Sequence, residues 1–379
     1  MKVVIAPDKF KGSLNAREVA ENIAKGLRDC LRDVEIDIVP MADGGEGTAE
    51  AIAQARGDPW LECKAHDPLG REIDARYAWN GDGKLAIMEM SEAAGMRRIS
   101  EDERDPVRAT TFGVGEMILD AANRGANRII IGLGGSATND GGFGMARALG
   151  FRFDYEHAPS GGYGVAGEHE HEQLSVTDLL ALKRIEKPKD LKLPKIIAAV
   201  DVKNLLLGKN GATRVFGPQK GASKKEIDIL ERALNRLADV MTKEFGFDYR
   251  DEVGAGAAGG LGFGLMSFCG AKVRPGFDVV AEAVGLEAKI KDADMVITGE
   301  GSLDRQTLEG KTPAGVARLA QKFGKPVFAI VGRATKDREV REMFDGVYEN
   351  ARPGMSQEEN MRRAAELLRE NARELARKM

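Results

Sequence analysis

Cysteine is scarce: the 379 residues hold only Cys30, Cys63 and Cys269, an odd number, widely spaced and without a C-x-x-C pair. That excludes a disulfide framework and a zinc knuckle, and fits a reducing compartment. Histidine is scarcer than any metalloenzyme reading would like. Of the four, only His169 and His171 are neighbours, on a Glu-crowded stretch that reads as surface. No long basic run occurs, and 60 acidic against 56 basic side chains leave a net charge of -4, which argues against a nucleic-acid surface. Long apolar runs are also missing. The opening MKVVIAPDKF meets Pro7 and Asp8 well before a signal-peptide core or a membrane span of ~20 residues could form. The chain reads as cytoplasmic, with no membrane and no nucleic-acid partner.

What is present is a globular composition, 42% hydrophobic and 31% charged, in a chain long enough for two domains at ~100 to 200 residues each. Glycine is abundant, with 46 residues, well above the ~7% of an average protein. Short β-branched runs at 3–5, 36–39, 129–131, 196–200, 295–298 and 327–331 read as strands buried on both faces. Helical patterns separate them at 15–31, 111–124, 224–244 and 312–323, so the fold class is α/β with largely parallel sheets. Around Asn80-Gly81-Asp82-Gly83 the alternation changes to that of a β-hairpin. An N-terminal β-α-β has too few strands to stand alone, and strands at 295–298, 327–331 and 346–348 can complete its sheet. The expected organisation is therefore one discontinuous domain, 1–57 plus 286–379, with 58–285 inserted as a second. Residues 356–379 read as a single packing helix capped by Ser356, and 157–173 as a loop.

In open parallel sheets ligands bind beyond the carboxyl ends of the strands. Five such ends are polar and glycine-rich here: APDKFKGS after the first strand, MADGGEGT after the second, GLGGSATNDGG after 129–131, Asp201 after 196–200, and GEGSLDRQT after 295–298. Glycine turns opening onto helices suit phosphate, and carboxylates suit Mg²⁺ on nucleotide phosphates. Any one of these could be a tight turn or an N-cap; five together point to a Mg²⁺-nucleotide enzyme. Known nucleotide motifs fit badly. Gly310-Lys311-Thr312 lacks the Walker glycine, since Arg305 stands where it should be. Gly254–Gly259 matches G-x-G-x-x-G without a strand before it, which leaves a hydroxy-acid dehydrogenase as a reading resting on that match alone. G-x-S-x-G is absent, so acyl-enzyme chemistry is set aside.

The stretches APDKFKGSL (6–14), ADGGEGT (42–48), RDPVRATTFGVGEMI (104–118), GGSATNDGG (134–142), FGPQKGA (216–222), GAGAAGGLG (254–262) and GEGSLDRQT (299–307) together closely resemble the type 1 glycerate kinases. The resemblance runs along nearly the whole chain. It implies ATP-dependent phosphorylation of D-glycerate with Mg²⁺, 2-phosphoglycerate favoured over 3-phosphoglycerate, and two α/β domains, one inserted in the other, the chain-end domain flavodoxin-like. A homo-oligomer is compatible with it. The segment 151–178 and the turn GRATKD depart from the family pattern. The remaining alternatives are a kinase of another hydroxy or sugar acid, and a regulator that binds nucleotide or sugar acid without turnover.

A substrate with one carboxylate and two hydroxyls needs cations and a base. Lys11 and Arg305 are the expected anion-binding catalytic residues, and Asp201 the expected base or Mg²⁺ ligand. Asp43, Glu300 and Asp304 are the further metal candidates. Asp8 should orient the first loop. Ser13, Gly134, Gly135, Ser136, Asn139, Asp140, Lys220 and Gly256 are assigned to phosphate or substrate.

Overall fold

The structure, a computed structural model, describes residues 1–156 and 174–379. The expected loop at 157–173, with His157, His169 and His171, lies outside the described residues. The chain forms two compact units, Met1–Gly57 with Pro275–Met379, and Asp58–Arg274. The return to the chain-end unit falls at Pro275, ahead of the expected 286, because helix Gly276–Ala283 packs against helices Thr48–Arg56 and Thr312–Lys322 of that unit.

The chain-end unit is built on a five-stranded sheet in the order Gly346–Glu349, Val327–Val331, Met295–Thr298, Lys2–Ile5, Glu35–Ile38. Every adjacent pair is parallel, with registers such as Val3↔Met295 and Val3↔Ile36. Counted along the unit's own chain the order is 2-1-3-4-5, the flavodoxin-like arrangement. Val3, Ile5, Met295 and Ile297 pack in one cluster with Val19, Ile23 and Leu27 of helix Ala16–Arg28 and Leu368, Ala372 and Leu375 of helix Ala364–Lys378. Asn15 starts the first of these helices through a capping box with Glu18, one residue later than the apolar pattern suggests. Two expectations need correction. Glu35–Ile38 is an edge strand, paired on one side only, and is partly exposed where burial on both faces was expected. The stretch 356–379 is two helices, Gln357–Arg362 and Ala364–Lys378, because Arg363 leaves helical geometry at φ -96° and ψ 9°. Ser356 does cap the first of them, accepting from Glu359 N at 3.1 Å.

The inserted unit carries a six-stranded sheet in the order Lys272–Pro275, Lys195–Val200, Arg128–Gly132, Leu85–Glu89, Glu72–Asn80, Trp60–His66. Trp60–His66, Glu72–Asn80 and Leu85–Glu89 form an antiparallel meander containing the expected hairpin. Leu85–Glu89, Arg128–Gly132 and Lys195–Val200 then run parallel. The core of this unit gathers Ile129, Ile131, Ile196 and Ala198 with Leu230, Leu234 and Leu237 of the long helix Lys224–Phe245. Among the described residues no helix is long and apolar enough to cross a membrane.

Candidate active site

In a 2-1-3-4-5 sheet, strands one and three are neighbours whose connections leave in opposite directions, and the gap beyond their ends is where ligands are held. Here those strands are Lys2–Ile5 and Met295–Thr298. Beyond them lies a cleft of about 620 Å³ lined by Asp8, Lys9, Lys11, Ser13, Asp43, Glu300, Ser302, Lys311 and Arg333, with Gln357, Asn360 and Met361 along one side.

Two acids of this cleft are nearly buried, Asp8 at 7% and Glu300 at 8% exposure. Asp8 is clamped: Oδ1 accepts from Lys9 N at 2.7 Å and Oδ2 from the Thr312 hydroxyl at 2.6 Å. Burial, reinforced by the nearby charge of Asp43, pushes its carboxyl up to about 7. Glu300 accepts from the Thr307 hydroxyl at 3.0 Å through Oε1. Burial raises it to about 8, against the opposing pull of Lys311 and Thr307. Both acids thus titrate where a general base is useful. Asp43 is half-buried on the turn before helix Thr48–Arg56, its Oδ1 accepting from Gly45 N at 3.4 Å. Lys9 reaches the carbonyl of Glu46 on the same turn. Ser13 closes its own loop by donating to Phe10 O at 3.1 Å.

Lys11, Asp8, Ser13, Asp43 and Glu300 therefore meet in one cleft. Arg305 does not line it. Its side chain is 76% exposed and ion-paired to Asp337 at 3.6 Å and Glu339 at 3.7 Å. The cations that do line it besides Lys9 and Lys11 are Lys311 and Arg333. Lys311 belongs to the Gly310-Lys311-Thr312 triplet, which fails as a Walker loop yet supplies both a cation and the Asp8 clamp. Arg333 lies in the GRATKD turn and is steadied by a 3.1 Å bond from Nε to Ser302 Oγ. Asp304 is also absent from the lining; its backbone N donates to Thr307 Oγ1 at 3.1 Å, bracing the hydroxyl that holds Glu300. The helix Gln357–Arg362 had no chemical signal in sequence, yet its residues Gln357, Asn360 and Met361 line the cleft.

A second polar cluster lies in the inserted unit, on the glycine-rich loop after Arg128–Gly132. Lys220, 2% exposed, donates from Nζ to Ser136 Oγ at 2.7 Å and to Thr138 O at 2.6 Å. Burial lowers its amine to about 7, with Asp140 pulling the other way. Asp140 accepts from Thr111 N, Thr111 Oγ1, Gly142 N and Gly144 N at 2.8–3.1 Å. Asn139 donates to Thr213 Oγ1 at 2.9 Å. Both are fully enclosed and organise the loop, where contact with a ligand was expected. Gly134 and Gly135 are half-buried on that loop, ahead of Ser136. Gly256 has a packing reason as well: a Cβ there would stand 2.2 Å from Leu205 O. At Gly259, with φ +68°, a Cβ would stand 2.0 Å from Thr138 O, so the glycine segment presses directly on the Ser136 loop.

Asp201 is exposed just beyond Lys195–Val200 in the inserted unit, without the burial that sets Asp8 and Glu300 apart. Among the described residues no group of three or more His, Cys, Asp or Glu side chains is placed to hold a metal ion.

The profile of the glycerate kinase family matches residues 3–379. The chain is 44% identical to the glycerate 2-kinase of Escherichia coli K12, over 89% of this chain and 86% of that one. It is 41% identical to the glycerate kinase of Bacillus subtilis 168, over 99% and 97%. A crystal structure from Salmonella typhimurium LT2 that carries the provisional description glycerate kinase 2 covers 100% of this chain and 98% of its own, with a TM-score of 0.85 and 41% identity. With the switch-point cleft in place and the match extending over the whole length, the chain belongs to the glycerate kinase family, enzymes that transfer a phosphoryl group to an alcohol oxygen.

Proposed function

We propose that this chain phosphorylates D-glycerate with ATP, and that Glu300 is the group that takes the proton of the attacking hydroxyl. The observation that carries this reading is the pairing, in one switch-point cleft, of a buried carboxyl raised to about 8 with Lys11, Lys311 and Arg333. Phosphoryl transfer asks chiefly for positioning and charge neutralisation. Lys11, Lys311 and Arg333 provide cations for phosphate oxygens and for the glycerate carboxylate. Asp8, fixed by Thr312 and Lys9, orients the loop that carries Lys11. Thr307 holds Glu300 through Oε1, which leaves Oε2 to receive the hydroxyl proton.

A Mg²⁺ ion brought on nucleotide phosphates needs one or two carboxylates from the protein. Asp43 and Asp8 fit that demand, since their charges already act on one another across the cleft. Such an ion, when bound, neutralises charge on the transferred phosphoryl group.

Transfer to the 2-hydroxyl is the preferred regiochemistry, supported by the resemblance and by the name of the Escherichia coli relative. The test is one incubation of the purified protein with ATP, Mg²⁺ and D-glycerate followed by phosphorus NMR. A 2-phosphoglycerate resonance is expected. A 3-phosphoglycerate resonance would correct the regiochemistry, and absence of glycerate-dependent ADP would overturn the substrate. Parallel tubes with other hydroxy acids and sugar acids then show whether specificity has shifted.

A further inference from the structure

Glycine is a poor helix former, because it gives up more backbone freedom on folding than alanine does. Gly276 nevertheless opens helix Gly276–Ala283, and its φ is negative, so backbone conformation does not call for it. The reason is space. A Cβ at 276 would stand 1.9 Å from Asp43 O, 2.2 Å from the Asp43 carbonyl carbon and 2.3 Å from Gly44 N. The bare Cα lies directly against the peptide that joins Asp43 to Gly44, on the turn ahead of helix Thr48–Arg56.

The helix is anchored where it is. Phe277, 7% exposed, lays its ring in the slot that Gly315 leaves on helix Thr312–Lys322, where a Cβ would come within 2.5 Å of the ring. That second helix begins at Thr312, whose hydroxyl clamps Asp8. The turn has its own ties: Lys9 holds the carbonyl of Glu46, Thr48 donates from Oγ1 to Gly45 O at 2.7 Å, and Met41 N donates to Pro7 O at 2.9 Å. The bond that Asp43 Oδ1 accepts from Gly45 N is long, at 3.4 Å. Contact with Gly276 therefore bounds the place of the Asp43 peptide more firmly than that bond does. One pair of packed helices locates both acids, Asp8 through Thr312 and Asp43 through Gly276.

We propose that Gly276 is the positioning residue for Asp43: its missing side chain lets the Asp43–Gly44 peptide lie where the Asp43 carboxylate can meet a divalent cation carried on nucleotide phosphates. The proposal rests on the kinase reading for its cation. A methyl group at 276 would force about 1 Å of separation, because Cβ atoms do not come within 3.0 Å of other heavy atoms. Mg²⁺ demands near-octahedral ligands at about 2.0–2.1 Å, so a carboxylate moved that far no longer serves it well.

The experiment measures the dissociation constant of ATP by calorimetry, once with Mg²⁺ and once with EDTA in its place, for the wild type, Gly276→Ala, Asp43→Asn and Gly26→Ala, each checked for fold by circular dichroism. Gly26→Ala controls for packing damage alone: its Cβ would stand 2.4 Å from Arg369 O, between helices Ala16–Arg28 and Ala364–Lys378. It should lower the melting temperature and leave the effect of Mg²⁺ as in the wild type. The wild type should bind ATP more tightly with Mg²⁺ than in EDTA. Gly276→Ala and Asp43→Asn should each reduce that gain about tenfold, the lower range for a metal site whose support is disturbed, with affinity in EDTA held within about twofold. A crystal structure of Gly276→Ala should show the Asp43–Gly44 peptide displaced by about 1 Å with the five-stranded sheet unmoved. An undiminished Mg²⁺ gain in Gly276→Ala or in Asp43→Asn would overturn the proposal, as would an unmoved peptide or an equal loss in Gly26→Ala. If Gly276→Ala does not fold, Phe277→Leu replaces it: loosening the anchor lets the helix drift from the turn, the same loss is expected, and an undiminished gain overturns the proposal. A wild type that binds ATP with Mg²⁺ yet leaves every hydroxy acid unphosphorylated defeats the kinase reading without touching this comparison.

Discussion

Burial acts on opposite charges in the two units. In the chain-end unit it lifts two carboxyls, Asp8 to about 7 and Glu300 to about 8; in the inserted unit it lowers one amine, Lys220, to about 7. The partners differ in kind too. Threonine hydroxyls donate to the acids, and the lysine donates to a serine hydroxyl and a carbonyl. The linkage therefore runs in opposite directions. Glu300 holds its proton more tightly folded than unfolded, so its contribution is complete below its ordinary value of 4.5 and is lost as pH rises through about 8. Lys220 holds its proton less tightly when folded. Its contribution is present above its ordinary value of 10.5 and is lost as pH falls through about 7. Both units thus carry groups poised near neutrality, reached from opposite sides.

The sharpest way to break this comparison is Glu300→Gln. Turnover should fall by ~10² to 10⁴, the range of a lost general base, while the melting temperature at pH 9 rises, because a buried carboxylate no longer has to ionise. Turnover near wild type would remove Glu300 from the chemistry. In the wild type, kcat/KM for glycerate should climb about tenfold per pH unit below about 8 and then level; a flat profile from pH 6 to 9 contradicts a base with that titration. Among the cations, Arg333→Ala should raise the KM of a substrate by ~10-fold or more, at the scale of a charged hydrogen bond. Arg305→Ala, which gives up an exposed ion pair, should stay within about threefold. Steady-state kinetics on both variants decides which arginine serves the cleft. The smallest effect is expected from Lys220→Met in thermal melts: its stability relative to wild type should be greatest below pH 7 and decline toward pH 10. The opposite slope would mean that Lys220 is charged and satisfied at neutrality.

Much of the architecture was legible in the sequence because it is local. Val3–Ile5, Ile129–Ile131 and Val327–Val331 carry β-branched runs, and Asn80–Gly83 carries its turn in four residues. The glycine-rich strand ends located Asp8, Lys11, Asp43 and Glu300 for the same reason, since chain direction alone puts them beyond the sheet. What was not legible depends on partners far along the chain. Arg305 and Arg333 look equally suited to an anion, and only Asp337, Glu339 and Ser302 separate them. Asp140 looks like a ligand until its four donors are seen, and Gly256 looks like a phosphate turn until the carbonyl of Leu205 fills the space beside it. Asn360 and Met361 line the cleft from a short helix whose end at Arg362 the apolar spacing of 356–379 does not announce.

The pairing Val3↔Met295 sets the order of events on the ribosome. At ~5–20 residues per second, the first strand waits on the order of ten seconds to a minute for its neighbour to be made. Throughout that interval Lys2–Ile5 has only the edge strand Glu35–Ile38 to pair with, while all of Asp58–Arg274 is being synthesised. The inserted unit can therefore finish folding first, and the nascent N-terminal β-α-β is the segment most in need of a chaperone.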